Sequence, residues 1–377
     1  MGDVVAIFIY LFFIFINLFL SFKDYIHPFN KNSRRALWGI VIFSFIIIYL
    51  FLSGYRNYSG LSGDLYNLQT EYEYYLRTGN SIYEGGYKIF MGVGKAFTLE
   101  FYTWRAIIIF FALLLNFYSI IRYAKNPHLV IALFFIFLII PSAEQLRNFL
   151  AFSFFQVGMS QLIYSTKSNK YKNFIFSLFV LIAGYVHSSF YIYIVILLID
   201  KITLKYIKIL AWFVLLFCVV IFLNNNNIQG FSIIINYFEN SRVSDYLNQN
   251  IRFGFLLYMF LHGLSLYILY VTMSLTQKLQ IKDLKIDKVF TTNLLLIIFF
   301  PLLMVNGTFI RIFRNILLLN YFSFGEFLSL RYFHSKKLIF VLMIVSSCVM
   351  WVYLTYFFAN TPYALYFPFF LDNIYFR

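Results

Sequence analysis

The sequence predicts an all-α, polytopic integral membrane protein with about 10–12 transmembrane or re-entrant helices. Three observations carry this. The 377 residues are 62% hydrophobic and only 12% charged, against roughly 25% charged in a soluble domain. Apolar runs of about 20 residues, the length that crosses a bilayer as a helix, recur along nearly the whole chain. Stretches such as "IFIYLFFIFINLFL" show no alternation, which excludes a membrane β-barrel and leaves helices, whose backbones satisfy themselves in lipid.

The first run, Val4 to Phe22, has no basic leader and no A-x-A site, so it reads as a retained span rather than a signal peptide. Further spans follow at 36–54, 104–122, 127–141, 144–165, 173–186, 188–199, 206–223, 253–276, 289–305, 309–330 and 338–358. No soluble domain, low-complexity linker or internal repeat separates them, so residues 1–377 read as one transmembrane domain. Cys218 and Cys348 fall inside spans and read as small packing residues.

The stretch 173–199 requires a choice. As one helix it strands Lys201, Lys205 and Lys208 on the far side from Lys167, Lys170 and Lys172. Broken at His187, both ends return to the same side, which the positive-inside rule favours. Each half is then short for a full crossing, which points to a bent or re-entrant pair.

With that break, 19 of the 30 basic residues collect on one side, which is then cytoplasmic. The net charge of +15 is thereby a topology signal and not a nucleic-acid signal. Both termini are expected outside, as are two loops, 55–103 and 224–252. The 11 remaining basic residues include nine arginines, whereas 15 of the 19 inside are lysines. Topology needs only a charge; arginine adds a planar fork suited to phosphate or carboxylate. The outer face therefore reads as a site for an anionic ligand.

Four clusters stand out there. In "PSAEQLRNFLAFSFFQ" a helix starts after Pro141, with Glu144 and Arg147 three apart on one face and Asn148 beside them. An arginine at a span's end calls for a partner or a wet cavity; it binds a phosphate or pairs with Glu144 or another outer acid. "NGTFIRIFRNILLLNYF" repeats the device: Arg311 and Arg314 share a face just below the outer boundary, with Tyr321 seven residues on. "AGYVHSSFYIY" places His187 at the break, as a general base or a phosphate donor. In the first outer loop, "GLSGD" forms a turn presenting Asp64, and Arg56, Tyr66 and Glu84 accompany it; "YEGGYKIFMGVGKAF" lies at the membrane surface. His262 reads as a packing or hydrogen-bonding residue and Glu326 as reaching water or an inner basic group. "GVGKA" is no P-loop, because Ile89 stands where its first glycine belongs and Ala96 follows the lysine. No metal-ligand spacing and no cofactor motif is present, so neither a metal nor a cofactor is expected.

The order of these pieces resembles the EpsG-like branch of the Wzy-type polysaccharide polymerases. The resemblance rests on Arg56 followed by "SGDLY" (Gly63, Asp64, Tyr66), "EGGYKIF" (Glu84, Gly86, Tyr87), "EQLRNFLAFSFF" (Arg147, Asn148, Ala151), "YVHSSF" (His187, Ser188) and "RIFRN...NYF" (Arg311, Arg314, Tyr321). It covers roughly residues 50 to 325 through short motifs in a fixed order. The family's usual Arg-Gln is Arg147-Asn148 here. The resemblance implies a multi-pass enzyme of the bacterial inner membrane that joins oligosaccharide repeats carried on undecaprenyl diphosphate, on the outer side. It also implies a chain-length regulator and a flippase as partners, and no nucleic acid. Arg147, Arg311 and Arg314 would then hold the diphosphate, and Arg56, Tyr66, Glu84, Asn148 and Tyr321 would contribute to substrate binding. Either His187 or Asp64 would act as base. Two other classes share many spans and outer arginines: an O-antigen ligase or related lipid-sugar transferase, and a transporter or flippase for an anionic lipid-linked glycan. A ligase has a larger late outer loop than 224–252, and a transporter shows internal repeats. A non-catalytic membrane scaffold is a fourth class.

Overall fold

The computed structural model describes residues 2–26, 31–56, 63–224, 253–281, 285–330, 337–358 and 366–376. Most of the loop 224–252, with Arg242 and Arg252, lies outside the described residues, as does Arg377. The described residues are helical, and eight of their helices are long and apolar enough to cross a membrane. They fall into two units: residues 1–194 with 324–377, and residues 195–323.

In the first unit the helices are α1 (Gly2–Ile26), α2 (Lys31–Gly54), α3 (Gly63–Thr78), α4 (Gly85–Ala96), α5 (Phe101–Tyr123), α6 (Pro127–Glu144), α7 (Leu146–Tyr164) and α8 (Asn169–Val186). The centre is α6, 89% of whose span is buried. Its middle widens into a π turn at Phe134–Leu138. Pro141 has no N–H for the carbonyl four residues before it, and a widened turn upstream accommodates that. The Tyr10 hydroxyl from α1 donates to the Phe135 carbonyl in this turn.

Polar side chains join the helices where lipid gives apolar surfaces little drive to associate. Asn116 Nδ2 on α5 donates to Ser153 Oγ on α7 at 2.6 Å. Asn17 on α1 donates to Ser44 on α2 at 2.9 Å and accepts from His128 Nδ1 on α6 at 2.9 Å. At the α5–α6 turn, exposed Lys125 meets the buried Glu326 carboxylate at 3.1 Å, the inner basic partner expected for that acid. Gly158 lets α7 approach α8: a Cβ there would stand 2.9 Å from that of Phe179.

The start of the first outer stretch is stapled to the C-terminal segment. Arg56 N donates to the Asp372 carbonyl at 2.9 Å, Ile374 N to Gly54 O at 3.0 Å, and Asn373 Nδ2 to Phe51 O at 3.0 Å. These bonds take up carbonyls that the end of α2 leaves unmade. Gly54 is required, since a Cβ would lie 2.3 Å from Asn373 Oδ1.

The span expected at 144–165 starts later. Gln145 (φ −100°, ψ 61°) breaks the helix, so Pro141 lies inside α6 and α7 begins at Leu146. The break at His187 is present: α8 ends there in extended backbone (φ −148°, ψ 108°), and a 3₁₀ helix, α9 (Ser188–Asp200), follows. The tighter winding lengthens α9. At about 2.0 Å per residue it covers about 26 Å, and α8 covers about 27 Å at 1.5 Å per residue. Both fall short of the ~30 Å hydrocarbon thickness, and the pair is bent at His187.

In the second unit, α10 (Leu204–Leu223), α11 (Gly254–Lys278) and α12 (Ile286–Val305) precede a one-turn 3₁₀ segment, a short α13 (Ile310–Arg314) and α14 (Leu317–Leu328), whose last residues belong to the first unit. His262 Nε2 donates to the Asn293 carbonyl at 3.0 Å and its ring packs on Phe313 at 4.6 Å, which makes it a packing and hydrogen-bonding residue. Asn293 and Asn320 exchange amide bonds at 2.7 and 3.1 Å. Lys288 meets Asp200 at 2.6 Å. The final helix, α15 (Lys337–Phe357), and the short α16 (Phe367–Leu371) return to the first unit.

The sidedness of the loops has a direct check. In a variant with Cys218 and Cys348 replaced by alanine, an impermeant thiol reagent should label Asn80→Cys in intact spheroplasts. It should label Lys170→Cys only after permeabilisation; the reverse pattern would invert the assigned orientation.

Candidate functional site

The stretch expected as an outer loop folds into two helices, α3 and α4. In α3, Leu65, Leu68 and Tyr72 fall at i, i+3 and i+7 and are buried. Gly79, with φ +75°, ends the helix, and Glu71 Oε1 accepts from Ser81 Oγ (2.6 Å) and Ile82 N (2.8 Å) to close the turn into α4. The Tyr72 ring stacks on Trp104 at 4.3 Å, its hydroxyl donates to Leu99 O at 2.9 Å, and burial pushes its pKa up to about 12. Trp104 Nε1 donates to Phe90 O on α4 at 2.8 Å. α4 buries Gly86, Tyr87, Met91 and Gly94 and exposes Ile89, Val93 and the following Phe97. An apolar exposed stripe beside Lys88 and Lys95 suits the membrane surface.

Glu84 stands at the N-cap of α4 and is the hub. Its Oε2 accepts from Arg147 Nη1 at 2.7 Å. Its Oε1 accepts from both the backbone N (3.1 Å) and the hydroxyl (3.0 Å) of Ser188, the first residue of α9. One carboxylate thus joins α4, the start of α7 and the start of α9. The pairing of Arg147 with Glu144 open from the sequence does not occur across the break: Gln145 puts them in separate helices, and the acid that meets Arg147 is Glu84. The Arg147 guanidinium also lies 4.4 Å from the centre of the Tyr83 ring, a cation–π contact. His187 is adjacent, half-buried, with Nδ1 3.0 Å from Ser189 Oγ. Ser188 is exposed.

Two glycines set this geometry. A Cβ on Gly85 would stand 2.5 Å from the Tyr185 hydroxyl, and one on Gly86 would stand 2.6 Å from the Tyr185 carbonyl oxygen. "EGG" therefore seats α4 against the end of α8. Tyr87, next in line, is fully buried, its ring edge-on to Tyr83 (5.6 Å) and Trp104 (5.9 Å). Burial, with Tyr83 adding to it, raises its pKa well above 10, although Arg147 and Arg105 pull the other way. The phenol stays protonated.

Arg105 is the residue that sequence reasoning passed over. It was one of nine outer arginines with no motif around it. In the structure it is fully buried at the outer end of α5, donating to Tyr55 O (3.2 Å) and Ala143 O (2.6 Å). Arg56 reaches the same Tyr55 carbonyl at 3.3 Å, donates to Ser53 O at 2.5 Å, and lies over the Tyr102 ring at 4.0 Å. The one signal available in advance was an arginine just inside the start of the apolar span 104–122, where a charge is costly.

The other expected residues are placed as follows. Asp64 and Tyr66 lie on the exposed face of α3, Tyr66 at 60% exposure. Asp64 sits in the first turn of that helix, where the helix dipole favours an acid. Asn148 is buried in the first turn of α7. In the second unit Arg311 is half-buried and Arg314 buried on the five-residue α13. Tyr321 is buried on α14. A turn at Asn315–Ile316 separates them, so the continuous face expected to link Arg314 and Tyr321 is interrupted. Among the described residues no three His, Cys, Asp or Glu gather as metal ligands.

Replacing Glu84 by alanine leaves the Ser188 N–H and Arg147 without their acceptor and should cost about 1–3 kcal/mol. Gly86→Ala should cost a similar ~1–3 kcal/mol, because a backbone carbonyl blocks the new methyl. Thermal unfolding of the purified protein checks both, with Gly263→Ala, which has open space around it, as the silent control.

No curated protein and no solved structure matches the chain. The sequence model of the EpsG family matches residues 39–371, from within α2 to the last residue of α16. The matched region takes in Glu84, Arg147 and His187 together with Arg311 and Arg314, and on that match the chain belongs to the EpsG family.

Proposed function

We propose that this membrane protein polymerises oligosaccharide repeat units carried on undecaprenyl diphosphate, at the outer side of the bacterial inner membrane. The observation that carries the reading is the Glu84–Arg147–Ser188 junction, with His187 beside it, where α4, α7 and α9 begin. Family membership supports a polysaccharide-polymerase type of protein. The junction gives such a protein a fixed cation where a diphosphate would lie.

The transfer needs three things. The acceptor hydroxyl oxygen bonds to the anomeric carbon of the growing glycan. The bond from that carbon to the diphosphate oxygen breaks, and its electron pair leaves on the diphosphate. The acceptor's proton passes to a base. Fixed guanidinium groups stabilise the departing charge in a water-poor site; Arg147 of the first unit is our candidate for this role, and Arg311 and Arg314 of the second unit are separate candidates. Glu84 is a poor base, since Arg147 and Ser188 already occupy its oxygens. His187 is the candidate base, with Nδ1 3.0 Å from Ser189 Oγ to orient the ring. Exposed Tyr66 offers an aromatic face for a sugar ring.

The lipid tail needs an apolar track. Within the second unit, a groove of about 570 Å³ runs along α11, lined by Leu256, Phe260, Gly263, Tyr267, Phe290 and Phe300 among others. Leu256 to Tyr267 spans about 16 Å of helix. We assign the groove to the polyprenyl chain, which would enter sideways from the bilayer.

The test is a gel of surface polysaccharide from a deletion strain complemented with variants. Deletion should leave single repeat units, wild type should restore long polymer, and Arg147→Ala at normal expression should not. Long polymer that accumulates on the lipid carrier without reaching its final acceptor would make the protein a ligase instead. A Cβ at Gly263 meets nothing within 4 Å, so Gly263→Phe directs its ring into the groove that Gly263 lines. It should shorten the polymer at unchanged protein level; unchanged chain length would remove the groove from the substrate path.

A further inference from the structure

Arg105 poses a problem of charge. It is fully buried, and its two hydrogen bonds go to backbone carbonyls of Tyr55 and Ala143. Both occupy the Nη atoms; Nε has no acceptor. No carboxylate pairs with it among the described residues. Carbonyl dipoles satisfy N–H groups but leave the net charge uncompensated, and a buried cation in that condition is strongly disfavoured. A second cation aggravates this. Arg56 donates to the same Tyr55 oxygen, so two guanidinium groups converge within a few ångströms of each other.

A neighbouring group has the matching defect. The Tyr87 hydroxyl is fully buried and has no hydrogen-bond partner among the described residues. Its ring sits between Trp104, which precedes Arg105, and Tyr83, over which Arg147 lies. Its electrostatic environment includes Arg105 and Arg147 and, opposing them, the Glu84 carboxylate that Arg147 already pairs. Arg105 Nε is a donor only, and a protonated phenol is most readily a donor. Both groups therefore lack the same thing, an acceptor. A water would fill a hydrogen-bonding gap; an anion would fill it and also neutralise the arginines.

We propose that Arg105, through its Nε edge, and the Tyr87 hydroxyl form an oxyanion site behind the Glu84–Arg147 pair, with Arg56 supplying further positive charge, and that it takes a compact phosphate-type anion. Nε and the adjacent Nη present the paired donors that bind a phosphate in bidentate fashion, and the phenol adds a third from another helix. Under the function proposed above, the anion is a phosphoryl group of the lipid diphosphate. Only that identity rests on the polymerase reading; the need for an anion rests on Arg105 and Tyr87.

Tyr87→Phe is the decisive variant, because it removes one oxygen that has no partner. The full-length protein in nanodiscs is titrated with inorganic pyrophosphate by calorimetry and thermal unfolding. Wild type should bind saturably and unfold at higher temperature with ligand. Tyr87→Phe should unfold without ligand at the wild-type temperature or above, because an unsatisfied buried hydroxyl is gone. Its pyrophosphate affinity should fall about tenfold, the loss of one charge-assisted hydrogen bond. Arg105→Lys keeps the charge and loses the fork, and should weaken binding further. Wild type that takes up no pyrophosphate, or Tyr87→Phe that binds as wild type does, overturns the site and leaves water as its occupant. The two readings fail separately: Tyr87-dependent binding in a protein whose deletion leaves polymer length intact keeps the oxyanion site and removes the polymerase reading.

Discussion

The Glu84 carboxylate is the constraint on which the outer end of the first unit depends. It accepts from Arg147 on α7 and from both the backbone and the side chain of Ser188 on α9. Its own helix is seated by Gly85 and Gly86 against Tyr185 at the end of α8. Segments distant in sequence thus meet at one anion. The partners are about one-quarter exposed, so the pair is neither a screened surface bridge nor a fully desolvated one.

Around that hub the fold handles polarity in two distinct ways. Toward the α5–α6 turn, polar side chains are closed into pairs: Asn17 with Ser44 and His128, Lys125 with Glu326. In hydrocarbon such pairs specify which helices meet. At the other end, the groups are left open on the donor side. Among the described residues, Arg105 Nε and the Tyr87 hydroxyl have no acceptor, and Arg56 donates to the same carbonyl as Arg105. The two ends of the unit differ in how fully their buried polar groups are paired.

Composition and periodicity determined a large part of this protein by themselves. Apolar run length fixes the helices, because a bilayer permits no other backbone arrangement for them. The basic loops fix the break at His187, because unbroken helix there would carry lysines to the wrong side. Short motifs singled out Glu84, Arg147 and His187, which the fold brings together. Tertiary structure decided what a linear spacing rule cannot. Arg147 pairs with Glu84 and not Glu144, because Gln145 leaves helical geometry between them. Arg314 and Tyr321 are parted by a turn at Asn315 that their spacing does not reveal. The supposed outer loop is two helices, since its buried Leu65, Leu68 and Tyr72 find their partners only on another helix. Arg105 became visible last. Among the described residues no carboxylate pairs with it, and which groups meet a buried side chain is a property of the folded chain and not of the sequence.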